Sequence, residues 1–104
     1  MKRILLAVAL LALSTLPAAA KNLDIVASFS VLGEIVKEVA GDKAVVHTLV
    51  GPDGDAHTFE PTPNDAKTLA AADLVIVNGL GLEKWMERLI AASGYKGTVI
   101  VVAR

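Results

Sequence analysis

Apolar positions along residues 21–104 switch between two spacings. Short runs rich in β-branched residues alternate with segments whose apolar side chains recur every three or four positions. "LDIVAS" (23–28), "AVVHTLV" (44–50), "DLVIVN" (73–78) and "TVIVV" (98–102) read as four strands. The third is almost continuously apolar, which predicts burial on both faces. "VLGEIVKEVA" (31–40) places Leu32, Ile35, Val36 and Val39 at i, i+3, i+4 and i+7, the stripe of an amphipathic helix. Ser30 is its candidate N-cap, and Gly41 stands where a left-handed residue closes such a helix. "TPNDAKTLAAA" (62–72) predicts a short helix with Thr62 as N-cap, Pro63 at the first helical position and Asp65 completing an approximate capping box. "LEKWMERLIAAS" (82–93) brings Leu82, Trp85, Met86, Leu89 and Ile90 onto one face, with Gly94 closing it.

Strands alternating with helices predict an α/β fold, a parallel four-stranded sheet with flanking helices and right-handed crossovers. No internal repeat, low-complexity tract or linker interrupts the pattern. A parallel layer normally covers its last strand with a helix, so an ending at Arg104 predicts a truncated unit spanning 21–104.

The first twenty residues do not belong to that pattern. Lys2 and Arg3 precede an unbroken apolar run from position 4 to 13, and Ala18, Ala19 and Ala20 supply a small-residue end. These are the three parts of a secretory signal peptide, with cleavage expected after Ala20. A spanning helix needs about 20 apolar residues, and Ser14, Thr15 and Pro17 interrupt too early, so no membrane span is expected after cleavage. Removing Lys2 and Arg3 takes the formal charge from −1 to −3 and leaves no basic run, which argues against a nucleic-acid partner. The chain has no cysteine. It therefore folds without disulfides and offers no site for the lipid of a lipoprotein. A bacterial periplasm is the expected compartment.

Ligands of open α/β sheets bind beyond the carboxyl ends of the strands. Three stretches lie there: 28–30, the loop around His57, and "NGLGLE" (78–83). "NGLGLE" has two of the three glycines of a dinucleotide fingerprint, so a tight strand-to-helix turn is the better reading. Ser28, Ser30 and Ser93 sit in no G-x-S-x-G elbow, which disfavours a hydrolase triad. His47, inside a strand, reads as a histidine satisfied by a neighbour. His57 lies in a loop of glycines, prolines and aspartates, "LVGPDGDAHTFEPTPNDA", with Asp55 and Glu60 close by. Imidazole is the commonest metal ligand near neutral pH, and a carboxylate can hold its second nitrogen in the required tautomer. One histidine is not a site, because zinc takes about four ligands; a solvated loop histidine is the alternative.

"DAHTFEPTPND" and "ADLVIVNGLGLEKW", within a match over essentially all of the mature chain, closely resemble the N-terminal lobe of the zinc- and manganese-binding solute receptors of bacterial ABC transporters. The resemblance implies a two-lobed periplasmic receptor whose lobes are joined by a long helix, with the metal in the cleft. It implies that His57, in the D-x-H-x-[YF]-E-P-T-P motif, is the first metal ligand, and that the remaining ligands come from segments beyond Arg104. Asp55 and Glu60 are then candidates for loop hydrogen bonds or for orienting the ligand, and Phe59 for packing at the cleft wall. The expected function is capture of zinc, or alternatively manganese, and delivery to a membrane permease, with no bond made or broken. An adhesin-like surface receptor and an unrecognised exported α/β enzyme are the alternatives. Export is directly testable: N-terminal sequencing of the secreted product should begin "KNLDIV", whereas an intact Met1 on a membrane-bound product would refute cleavage.

Overall fold

The computed structural model describes residues 22–103; the leader and its expected cleavage site lie outside them. Four strands, β1 (Leu23–Phe29), β2 (Ala44–Val50), β3 (Leu74–Val77) and β4 (Thr98–Val101), form one sheet in the order β2-β1-β3-β4. All three pairings are parallel, with Val26 opposite both His47 and Val75, and Ile76 opposite Ile100. Helices α1 (Ser30–Ala40), α2 (Pro63–Ala70) and α3 (Met86–Ser93) connect them. This is the expected parallel four-stranded sheet with flanking helices. Because β2 and β3 lie on opposite sides of β1, the strand order reverses there, and in such sheets the crevice beyond the strand ends is the place for a ligand. Among the described residues no helix is long and apolar enough to cross a membrane.

Alternation along the strands divides the apolar residues between two layers. Val26, Val75 and Val77 join Leu69 of α2, Met86 and Leu89 of α3, and Trp85, Val50 and Tyr95 in the main core. Ile25 and Ala27 point the opposite way by strand alternation and are buried, as is Leu32 of α1. There Gly33 meets the Thr48 side chain so closely that an added β-carbon would collide with the hydroxyl. The face of α1 that carries Gly33 meets the sheet. Leu32 and Gly33 are buried, while Ile35 and Val39 remain 55% and 84% exposed. The predicted apolar stripe is thus only partly used within these residues, and the closest approach to the sheet is made by the glycine.

Helix ends show which capping signals act. Thr62 is the N-cap of α2: its hydroxyl accepts from the Asp65 N–H at 3.2 Å, and the Asp65 carboxylate accepts from the Thr62 N–H at 2.8 Å. The expected capping box is present. Ser30 is not a cap; it is the first residue of α1, and the N-cap position falls on Phe29, which makes no side-chain capping bond. The extended strand runs one residue further than expected and carries Ser30 into the helix. Gly94 closes α3 in the left-handed region, whereas Gly41 has φ 58° but ψ −131° and leads into a 3-10 turn over Gly41–Lys43. Tyr95, which follows α3, is buried and its hydroxyl donates to the Thr98 carbonyl at 2.8 Å. Burial first, and the Asp73 carboxylate second, raise that hydroxyl's pKa above the ordinary 10.0. The capping contrast gives a measurable difference. Thr62→Ala should lower unfolding stability by about 1 kcal/mol, and Ser30→Ala by no more than about 0.5 kcal/mol. Urea denaturation midpoints check this, and equal losses would contradict the assignment.

Candidate metal centre

Two loops at the carboxyl ends of the strands build the candidate site. The segment after β3 was expected to enter its helix at Leu82, yet α3 begins only at Met86. Residues 80–85 form turns instead, with the Leu82 N–H donating to the Gly79 carbonyl at 3.2 Å and the Met86 N–H to the Glu83 carbonyl at 3.0 Å. Gly79, Leu80 and Gly81 all have positive φ, which a right-handed helix cannot accommodate. Glu83 holds the turn closed. Its carboxylate accepts from the Asn78 N–H at 2.6 Å, from the Gly79 N–H at 3.0 Å and from the Ser28 hydroxyl. Glu83 is 7% exposed and Ser28 fully buried, so this one carboxylate joins the ends of β1 and β3 inside the fold. "NGLGLE" is therefore a clamped strand-to-helix turn, and Ser28 is engaged by a carboxylate. Sequence reading missed this role for Glu83. The available signal was an acid placed four residues after a glycine turn that leaves strand-end N–H groups to be satisfied.

The loop after β2 runs from Gly51 to Thr62 and presents His57. The Gly54 N–H donates to the Gly51 carbonyl at 3.0 Å, and the His57 N–H donates to Asp55 Oδ1 at 2.8 Å. The His57 side chain is 66% exposed, and its Nδ1 lies 3.9 Å from Asp55 Oδ1. The loop is fastened from below by Trp85, whose Nε1–H donates to the Ala56 carbonyl at 2.6 Å. Phe59 packs edge-on against the same indole, with ring centroids 4.8 Å apart at 63°. A groove of about 700 Å³ runs beside this contact, lined by Phe59, Glu60, Thr62, Trp85, Arg88 and Leu89 among others. Asp55 thus bonds the loop backbone and lies near the imidazole, Phe59 packs on the wall, and the exposed Glu60 sits at the groove rim. His47 lies mid-strand in β2 with Nε2 3.4 Å from Asp24 Oδ1, away from the strand ends. Among the described residues no three His, Cys, Asp or Glu side chains gather as a metal-holding group. His57 is chemically one free imidazole on an anchored loop.

The family model described as zinc-uptake complex component A, periplasmic, matches residues 25–104. The chain belongs to that family. It is 41% identical over 70 residues to a manganese-binding lipoprotein, MntA, of Halalkalibacterium halodurans, covering 67% of this chain and 23% of the relative. It is 33% identical over 84 residues to the iron-binding protein YfeA of Yersinia pestis, covering 81% and 27%. A Mn-bound periplasmic metal-binding protein of Candidatus Liberibacter asiaticus aligns with TM-score 0.71 and 36% identity, over 79% of this chain and 30% of the other. Zn(II)-bound AdcA of Streptococcus pneumoniae aligns with TM-score 0.66 and 29% identity, over 78% and 18%. The chain spans about a quarter of the length of these curated relatives. The first of these relatives is called a lipoprotein; these 104 residues contain no cysteine. The clamped turn after β3 ties two strand ends together, and the integrity of this fold can be tested there. Glu83→Gln leaves the partly buried N–H groups of Asn78 and Gly79 with one acceptor oxygen instead of two. It should cost about 1–3 kcal/mol of stability, read by chemical denaturation; a variant as stable as the parent would show that the clamp is dispensable.

Proposed function

We propose that this chain forms the metal-presenting N-terminal lobe of an extracytoplasmic receptor. The receptor captures a divalent transition metal and hands it to the permease of an ABC transporter. Zinc is the foremost cargo and manganese the second. The observation that carries the reading is the placement of His57: an exposed imidazole in the family's D-x-H motif, on an anchored loop at the carboxyl end of β2. Membership of the zinc-uptake family supports it, as do relatives whose names record manganese, iron or zinc binding. His57 supplies a neutral nitrogen donor, and the other ligands come from segments beyond Arg104. Imidazole donors suit zinc, and a more carboxylate-rich set suits manganese. The work done is binding and release, with no covalent chemistry. Export by the leader places the receptor in the periplasm, facing the permease.

The two histidines separate this reading from its rival, a solvated loop histidine. In the full-length protein, His57→Ala removes one of about four ligands and should weaken zinc binding well beyond the roughly 10–100-fold typical of changes behind the ligands. His47→Ala should leave affinity within about twofold, since its ring is occupied with Asp24. Residues 21–104 alone should bind zinc only weakly, as a lone imidazole offers no chelation. Competition titrations against a chromophoric chelator at pH 7 decide this. Equal affinities for the parent and His57→Ala would sink the assignment, and tight one-to-one binding by residues 21–104 would reveal ligands elsewhere in them.

A further inference from the structure

We propose that Trp85 is the positioning residue for His57: the indole N–H bonded to the Ala56 carbonyl sets where the loop presents its imidazole. The inference rests on His57 being a metal ligand and adds what holds that ligand in place. The imidazole has little to hold it directly, being 66% exposed with Asp55 Oδ1 3.9 Å from its Nδ1. Its location is therefore decided by its backbone. The Ala56 carbonyl and the His57 N–H belong to one planar peptide unit, and that unit is gripped at both ends. Asp55 Oδ1 accepts from its N–H at 2.8 Å, and Trp85 Nε1 donates to its carbonyl at 2.6 Å.

The two grips differ in what they reference. Asp55 is itself part of the loop, so its bond shapes the loop without locating it. Trp85 belongs to the core, 2% exposed and part of the buried cluster that includes Val26, Val50, Val75 and Leu89. Among the described residues its indole is the one hydrogen-bond donor that reaches residues 52–61 from elsewhere in the fold. The same ring also holds Phe59 edge-on, so the loop is seized on both sides of His57. Glu83, two residues earlier, fixes the turn from which Trp85 projects. A ligand held this way is ordered before the metal arrives, which lowers the entropic cost of binding.

Trp85→Phe tests this, because it keeps an aromatic ring in the core and removes the N–H. In the full-length protein it should weaken zinc binding about 10–100-fold in chelator competition. In the metal-free protein, the backbone amide signal of His57 in histidine-labelled NMR spectra should shift and broaden while that of His47 stays fixed. Leu32→Ala serves as the structural control: it removes a buried side chain under α1, on the other face of the sheet, and should lower the thermal midpoint while zinc affinity stays within about twofold. If His57→Ala abolishes tight binding but Trp85→Phe binds zinc like the parent, the positioning role is overturned and the ligand assignment stands. If His57→Ala itself binds like the parent, both fall. Zinc binding weakened as much by Leu32→Ala as by Trp85→Phe would also overturn the proposal, as would unchanged His57 signals in Trp85→Phe.

Discussion

A buried carboxylate organises the carboxyl end of this sheet. Placing Glu83 at 7% exposure removes a strongly hydrated group from water, which is costly unless its oxygens find donors. It finds three: two strand-end N–H groups of Asn78 and Gly79, and the Ser28 hydroxyl from the neighbouring strand. Those donors would otherwise be unsatisfied themselves, so each side of the interaction removes the penalty of the other. Among the described residues no buried side-chain nitrogen or oxygen is left without a partner. The clamp joins β1 to β3 at the point where the strand order reverses, and it delays α3 until Met86.

That delay has a consequence one step further along the chain. With residues 80–85 in turns, Trp85 stands at the entry of α3 with its ring in the core and its N–H toward the loop after β2. The loop needs such a partner. It is exposed over most of its length; Pro52 and Pro61 lower the number of conformations it must give up, Gly51 and Gly54 raise it, and neither defines one. Core packing, the indole bond and the Phe59 contact together turn a polar surface loop into a platform for one imidazole. The chain itself spans about a quarter of its relatives' length.

The order of the elements, the parallel sheet and the α2 capping box were legible in the sequence because each rests on local rules. Strand and helix periodicities differ, and the Thr62–Pro63–Asp65 pattern carries its own hydrogen bonds within four residues. The position of His57 on a loop beyond the carboxyl end of β2 was legible from its place after a strand. Three features were decided only in three dimensions. The contact face of α1 is the one on which Gly33 meets Thr48, fifteen positions away. Residues 82–85 scan as helix, but their conformation was settled by Glu83 reaching back to Asn78 and across to Ser28, fifty-five positions away. The hold on His57 comes from Trp85, twenty-nine positions from Ala56. Periodicity records which face of an element is apolar, because that depends on the residue's own chemistry. Which donor meets which acceptor across the sheet depends on how close two backbones come, and that distance exists only after the layers have packed.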